Sequence, residues 1–181
     1  LLHFEAVDWH AIVWVNGTKV GENKGGYTPF TFDITGALKP TGSQEITLVV
    51  WDPSNAGDQA IGKQALPEIR KGFRYTPTTG IWQPVWLEPV PETAIERIRL
   101  TPQVDQGAVD IMVDSTRAAA NQGGAPGVEL QVLDSGKVIA QGKGKPGETI
   151  KVKIPNARLW SPDSPFLYDL KVKLGADEVT S

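Results

Sequence analysis

The sequence predicts an all-β protein made of two consecutive sandwich domains. Short runs rich in Val, Ile, Trp and Thr are separated by 19 glycines and 14 prolines, and residues of this kind divide a chain into strands and turns. No window keeps a helical apolar period over several turns. The 181 residues suffice for two domains of about ninety residues each, a common domain size.

Six strands are predicted in the first half of the chain. Asn16-Gly17 separates two apolar runs and predicts a two-residue type I′ hairpin, because both central positions of that turn need a positive φ. Phe30, Phe32 and Ile34 alternate with polar residues, which is typical of a strand with one buried face. The six strands are expected at residues 1–7, 10–15, 18–22, 29–34, 44–51 and 80–88.

Two features of this half are unusual. A jelly-roll sandwich has about eight strands, so six predict a jelly roll that lacks its first strands. The chain also begins without Met, as a piece of a longer protein would. Residues 52–79 form a long segment without periodicity, and loops well beyond ~15 residues in compact domains are usually functional or disordered. This segment is called the long loop below.

A proline-rich connector around Pro89 and Pro91 predicts the domain boundary, with domains at residues 1–91 and 92–181. In the second half, Ile150, Val152 and Ile154 alternate with lysines and predict a half-buried strand. Six strands and a further segment at the end predict an immunoglobulin-like sandwich. They are expected at residues 95–101, 108–114, 128–133, 137–141, 149–154, 166–174 and 177–181.

The composition excludes several classes of function. The formal net charge is −3, and neither half has the basic excess expected of a nucleic-acid or membrane-surface binder. No cysteine is present, which excludes disulfides, thiolate zinc sites and cysteine nucleophiles. His3 and His10 lack metal-ligand spacing and are interpreted as structural residues. We therefore expect no metal and no cofactor.

Several separated motifs stand in a fixed order along the first half of the chain. They are residues 2–9 (LHFEAVDW), 13–17 (VWVNG), 20–21 (VG), 25–35 (GGYTPFTFDIT), 49–53 (VVWDP) and 76–88 (TPTTGIWQPVWLE). In this order they resemble the sugar-binding domain of family-two glycoside hydrolases. Residues 154–162 (IPNARLWSP) are similar to the tryptophan motif of the immunoglobulin-like domain that follows it in that family.

The resemblance implies a galactose-binding-like jelly roll followed by an immunoglobulin-like domain. Enzymes of this family carry their catalytic glutamates on a (β/α)₈ barrel that follows these domains, and they cleave β-galactosides, β-glucuronides or β-mannosides with retention. A barrel takes roughly 250 residues, so we expect a non-catalytic, inactive part of a β-glycosidase of the β-galactosidase type. The implied partners are the barrel and, through its pocket, a carbohydrate; the setting implied is bacterial, periplasmic or secreted. Oligomeric state stays open.

Three residues are candidates for contact with sugar. The resemblance implies that the hairpin asparagine, Asn16, reaches toward the active site, although a tight turn explains an asparagine before glycine equally well. Lys63 and Gln64 lie in the long loop and could approach substrate hydroxyls if that loop folds over the barrel mouth. The alternative for both is a solvated loop.

Other charged residues of the long loop are interpreted as solvated side chains. Asp58 and Glu68 could form an acid pair, but acidic residues in polar loops are usually solvated. Arg70, Lys71 and Arg74 could pair with an acidic barrel surface or a carboxylated sugar, although solvated charge runs are commoner.

The six tryptophans are expected to pack rather than to stack on sugars. Four of them lie inside predicted strands, where burial in the core or between domains is the usual outcome. The other two are expected to be packing anchors. The first group is Trp14, Trp51, Trp82 and Trp86, and the second is Trp9 and Trp160.

Two rival functions stay open from the sequence. A free-standing carbohydrate-binding module would need an exposed aromatic platform, and a structural or oligomerisation module would need a large apolar surface that pairs chains.

Overall fold

The computed structural model describes residues 1–54, 56–65, 72–116 and 126–181. The described residues form fifteen β-strands and two 3₁₀ turns, so the predicted all-β class is confirmed. They divide into two compact units, Leu1–Pro89 and Val90–Ser181.

The first unit is a sandwich of short antiparallel strands. One sheet has the order β5-β1-β8, another has the order β4-β3-β6, and β2 pairs with β7. A 3₁₀ turn, Thr35–Ala37, follows β5. The strands are β1 Leu2–Phe4, β2 Val7–Asp8, β3 His10–Val15, β4 Thr18–Lys24, β5 Phe30–Phe32, β6 Ile46–Trp51, β7 Gly80–Ile81 and β8 Val85–Leu87. The expectation of further strands upstream stays a prediction.

Alternation along β3 builds the core of this unit. Ala11, Val13 and Val15 are fully buried, while the residues between them are only partly covered. Burying a valine side chain such as Val13 or Val15 contributes about 1.5–3 kcal/mol relative to exposure. The core is completed by Leu2, Phe4, Val7 and Ile34.

Two predicted strands of this unit are each divided in the structure. Residues 1–7 form β1 and β2, and residues 80–88 form β7 and β8. The reason is that β1 pairs with β8 in one sheet, whereas β2 pairs with β7 separately. The chain therefore changes sheet near Glu5 and near Pro84, whose carbonyl accepts a hydrogen bond from the Glu5 amide at 3.0 Å.

The second unit is a seven-stranded antiparallel sandwich, as predicted. One sheet has the order β13-β10-β9 and the other has the order β12-β11-β14-β15. A 3₁₀ turn, Val104–Gln106, joins β9 to β10. The strands are β9 Ile95–Gln103, β10 Ala108–Ser115, β11 Val128–Asp134, β12 Lys137–Gly144, β13 Thr149–Lys153, β14 Asp169–Leu174 and β15 Asp177–Thr180.

The core of this unit lies between its two sheets. Ile150 and Val152 of β13 are buried and their lysine neighbours are exposed, which confirms the predicted alternation. The facing sheet contributes Leu130 and Val172, which are also buried. The strand expected from residue 166 begins only at Asp169, because the residues before it contact the Arg158 segment instead.

Candidate functional site

Asn16 lies at the tip of the β3–β4 hairpin with a φ of 50°. Its side-chain NH₂ donates to the Ala37 carbonyl at 2.8 Å and to the Gln44 side-chain oxygen at 2.7 Å. Its side-chain oxygen accepts the Glu45 amide at 2.9 Å. The side chain therefore fastens the hairpin to the segment before β6, and its predicted contact with sugar stays a prediction.

Gln64 lies where two described parts of the long loop, residues 56–65 and 72–79, meet. These two parts are called the arms below. Its side-chain NH₂ donates to Asp8 at 3.3 Å, and its side-chain oxygen accepts the Thr78 amide at 2.9 Å. Its own carbonyl accepts an N–H from the Arg74 guanidinium at 3.1 Å. Gln64 thus joins β2 to both arms, a role that its position in a polar segment did not predict.

Lys63 is exposed beside Gln64 and shares an aromatic neighbour with Arg74. The Lys63 Nζ lies 5.9 Å from the centre of the Phe73 ring, and the Arg74 guanidinium carbon lies 5.8 Å from it. Lys63 and Arg74 are called the loop cations below. Glu68, Arg70 and Lys71 lie outside the described residues. Asp58 is exposed.

Asp8 was missed by the sequence interpretation, although it is buried, with 7% of its surface exposed. Burial raises the pKa of the Asp8 carboxyl, the negative charge of Asp52 raises it further, and the hydrogen bond from Gln64 acts in the opposite direction. The signal in the sequence was an acidic residue between apolar neighbours, Val7 and Trp9.

Asp52 follows β6 and organises the start of the long loop. Its carboxylate accepts the Ser54 amide at 2.7 Å and the Thr79 hydroxyl at 2.7 Å. The first bond closes a local turn, and the second ties the start of the loop to its end. The ends of this long segment are therefore held together before β7.

The tryptophans do not follow the predicted burial. Trp51 is 58% exposed, and Trp82, Trp86 and Trp160 are also exposed. Trp51 and Trp86 lie on β6 and β8, which are edge strands of their sheets in the part of the chain that the structure describes. Trp14 and Trp9 are half-buried.

Two aromatic pairs flank the Asp8 region. Tyr27 packs edge-on against Trp82 with ring centres 5.8 Å apart, and Trp9 packs edge-on against Trp51 at 6.0 Å. The Trp82 indole N–H donates to the Gly26 carbonyl at 2.7 Å. The exposed rings and the loop cations belong to the same unit.

His3 and His10 take part in contacts within the first unit. His3 shares a hydrogen bond of 2.9 Å with the Thr31 hydroxyl and stacks on Trp86, with ring centres 4.8 Å apart. In the parts of the chain that the structure describes, no three His, Cys, Asp or Glu residues converge as metal ligands would. No helix among those residues is long and apolar enough to cross a membrane.

A separate apolar groove of about 520 Å³ lies in the second unit. Arg158 is at its edge, but its charge is neutralised by Asp134 at 2.7 Å, and its guanidinium lies 3.4 Å from the centre of the Phe166 ring. Side chains that line the groove include Leu100, Val104, Ile154, Leu159, Trp160 and Leu167. The tryptophan motif thus presents apolar side chains at the surface.

Two family models match the chain in succession. The model described as "Glycosyl hydrolases family 2, sugar binding domain" matches residues 1–91. The model described as "Glycosyl hydrolases family 2" matches residues 93–181. The chain belongs to family 2 of the glycosyl hydrolases. The family-2 chain consists of the sugar-binding jelly-roll domain and the immunoglobulin-like domain, and the described residues contain no catalytic barrel.

Curated relatives of this family-2 chain are glycosidases. The β-glucuronidase of Canis lupus familiaris is 33% identical over 97% of the chain. The β-galactosidase of Thermoanaerobacter pseudethanolicus is 31% identical over 97% of it. The family-2 chain spans 29% of the length of the first relative and 24% of the second.

Solved structures agree with the fold of the family-2 chain. A β-glucuronidase from Faecalibacterium prausnitzii matches with a TM-score of 0.73 and 29% identity, over 99% of this chain and 33% of that one. A β-glucuronidase from Ruminococcus gnavus matches with a TM-score of 0.74 at 20% identity, over 99% of this chain and 32% of that one, which supports the fold alone.

Proposed function

We propose that this chain is the accessory region of a retaining β-glycosidase, that it supports a catalytic barrel and that its long loop contributes to the sugar pocket. The preferred substrate in this proposal is a β-glucuronide. The loop cations carry the proposal, because an exposed lysine and a half-buried arginine beside the exposed Phe73 ring suit a sugar that bears a carboxylate. Relatives named as β-glucuronidases support the same choice.

The β-galactoside expected from the sequence is the second candidate. The relative from Thermoanaerobacter pseudethanolicus supports it, and so do the neutral hydrogen-bonding groups near Gln64, which suit hydroxyls as well as carboxylates. The two candidates differ in the role of positive charge, because galactose has no ionised group for the loop cations to bind.

The chain by itself is proposed to be inactive. Retaining hydrolysis needs an acid and a carboxylate nucleophile about 5 Å apart across the scissile bond, and in this family they belong to the barrel. The purified 181-residue protein should therefore release no 4-nitrophenol from the β-glucuronide or the β-galactoside. Hydrolysis that survives repeated purification would contradict this part of the proposal.

A chimera tests the contribution to the pocket. In it, this chain replaces the matching region of the Faecalibacterium prausnitzii β-glucuronidase. The variants Lys63→Ala and Arg74→Ala should each raise KM for 4-nitrophenyl β-D-glucuronide about tenfold and leave kcat unchanged, as expected when a binding contact is lost. The effect of Lys63→Ala should shrink at high salt, since Lys63 is exposed and exposed charges are screened.

Lys39→Ala is the matched control, because Lys39 is an exposed lysine of the same unit outside the long loop. An unchanged KM in both loop-cation variants would remove the glucuronide proposal and favour the galactoside. A chimera that folds but has lost kcat by orders of magnitude would contradict the supporting role for the barrel.

The barrel is the proposed partner of the second unit as well. The apolar groove supports this, because exposed apolar patches of this kind commonly mark interaction sites.

A free-standing carbohydrate-binding module is the remaining alternative, favoured by the exposed rings of Trp51 and Trp82. It predicts that the isolated chain binds oligosaccharides tighter than about millimolar in calorimetry.

A further inference from the structure

A buried carboxylate on β2 has a role that the proposed function does not explain. Asp8 is paired in register with Gly80 of β7 and is almost completely covered by the rest of the first unit. Burying a carboxylate removes its hydration, so such groups persist where a hydrogen-bond partner holds them. The partner here is Gln64, which is distant in sequence and belongs to the long loop.

Gln64 uses each end of its side-chain amide for a different task. The NH₂ donates to the Asp8 carboxylate, and the oxygen accepts the backbone N–H of Thr78. An amide bound at both ends has a fixed orientation, because turning it over would place donor against donor and acceptor against acceptor. Asp8 and the Thr78 amide together therefore determine the orientation of the Gln64 side chain.

Backbone hydrogen bonds on either side of Gln64 connect the two arms of the loop to each other. The Tyr75 amide donates to the Lys63 carbonyl at 2.9 Å, and the Ala65 amide donates to the Tyr75 carbonyl at 2.7 Å. These bonds bracket Gln64, which forms an isolated bridge with Tyr75. The Arg74 guanidinium also donates to the Gln64 carbonyl. Both loop cations are thus adjacent to a residue that Asp8 holds.

The backbone at Gly26 lies close to the Asp8 carboxylate and limits how far the carboxylate can rotate. A Cβ placed on Gly26 would lie 2.6 Å from one carboxylate oxygen of Asp8, so a side chain at that position would require the Asp8 carboxylate to shift. The carbonyl of Gly26 is itself held by the Trp82 indole N–H. The carboxylate is therefore confined between a fixed backbone segment and the Gln64 amide.

We propose that Asp8 is a positioning residue, which through Gln64 fixes both arms of the long loop and thereby the location of the loop cations. The positioning of the loop stands on the contacts above, whereas its consequence for sugar binding rests on the proposed function. Asp8 does not contact the sugar in this proposal. Its effect on binding passes through Gln64.

The first test measures hydrogen exchange at the Ala65 and Tyr75 amides in the 181-residue protein. Asp8→Ala and Gln64→Glu should each accelerate exchange at both amides about tenfold or more, because the loop opens more often when its anchor is lost. Gln64→Glu places a carboxylate against a carboxylate. Asp58→Asn is the matched control, since Asp58 is an exposed acid of the same loop, and it should leave exchange unchanged.

The double variant Asp8→Asn with Gln64→Glu reverses the polarity of the contact. The new asparagine can donate to the new glutamate, so exchange at Ala65 and Tyr75 should return to within about threefold of wild type. A general loss of structure would not be repaired by reversing one hydrogen bond. Unchanged exchange in Gln64→Glu, or no recovery in the double variant, would overturn the proposal even if Asp8→Ala fails to fold.

The second test separates this proposal from the proposed function. In the chimera, Gln64→Glu should raise KM for the glucuronide with kcat unchanged, and the double variant should restore KM. Faster exchange together with an unchanged KM would leave Asp8 as the positioning residue of the loop and would contradict the sugar contact of the loop cations. Unchanged exchange would contradict the positioning role regardless of KM.

Discussion

At the scale of single residues, Asp8 is the position where local sequence and final environment disagree most. It is a charged residue in a two-residue strand whose other member, Val7, is a core residue. Asp52 is the charged neighbour that acts on its pKa, and Gln64 is its hydrogen-bond donor. The ionised form of Asp8 is thus stabilised by the hydrogen bond from Gln64 and destabilised by the negative charge of Asp52.

The raised pKa of Asp8 gives a prediction for stability against pH. Because the folded-state pKa lies above the ordinary value of 3.8, Asp8 contributes stability that is fully present below that value. The contribution is lost as the pH rises through the folded-state pKa, so the ionised carboxylate opposes folding at neutral pH. We therefore expect Asp8→Asn to raise the free energy of unfolding at pH 7.

Urea unfolding of the wild-type protein and of Asp8→Asn from pH 3.5 to 8 checks this. The difference between the two should be smallest at the acidic end and should grow above it. Asp58→Asn is the control, because Asp58 is an exposed acid of the same unit. A variant that is less stable than wild type at pH 7 would contradict the prediction.

At the scale of elements, two hairpins share the same turn geometry but differ in their tertiary contacts. Asn16 and Gly17 both have positive φ, and so do Ser135 and Gly136 in the β11–β12 hairpin. The two turns are alike in backbone geometry. They differ in that the Asn16 side chain binds three groups of another segment, whereas among the described residues the Ser135 hydroxyl donates to its neighbour Asp134.

Replacement by glycine separates these two contributions. Asn16→Gly keeps a residue that accepts positive φ and removes the side-chain bonds, so the free energy of unfolding of the first unit should fall by about 1–3 kcal/mol. Ser135→Gly is the matched control and should change stability of the second unit by less than about 0.5 kcal/mol. Equal effects in urea unfolding would mean that the turn alone explains Asn16.

The long loop is the element that the sequence describes least well. It has no periodicity, yet its described parts are ordered by Asp52, Gln64 and the backbone bonds to Tyr75. Its order comes from single polar contacts rather than from an apolar core. Loss of one of these contacts should therefore affect the loop more than the sheets, which is the basis of the exchange experiment above.

At the scale of the whole molecule, the second unit presents an apolar surface that its own strands do not cover. Trp160 is 57% exposed, and Leu159 and Leu167 beside it are also exposed. The packing of the ten buried residues between the two sheets does not involve these side chains. Their burial must therefore come from outside the unit if they stabilise anything.

Trp160→Ser tests that role. In the chimera we expect the melting temperature to fall by several degrees, because about 2 kcal/mol of burial against the barrel would be lost. In the isolated 181-residue protein the same change should alter stability by less than about 0.5 kcal/mol. Val138→Ser is the control, since Val138 is an exposed residue of β12 that does not line the groove. Equal shifts for Trp160 in both settings would contradict the docking role.

Much of the fold was predictable because it is encoded locally. Alternation identified β5 and β13, and the residue types that accept a positive φ identified the Asn16-Gly17 hairpin. The division of residues 80–88 into β7 and β8 was not predictable. It depends on strand pairing with a distant part of the chain, because β8 pairs with β1 and β7 pairs with β2.

The sequence by itself determined the all-β class, the two kinds of sandwich and membership of the family, because strand alternation, turn residues and ordered motifs are properties of neighbouring positions. The tertiary structure alone decided that Asp8 meets Gln64, that Asn16 is engaged by its own unit and that Trp51 is exposed. These outcomes depend on contacts between residues far apart in the chain and on which strands form sheet edges. A local pattern contains neither kind of information.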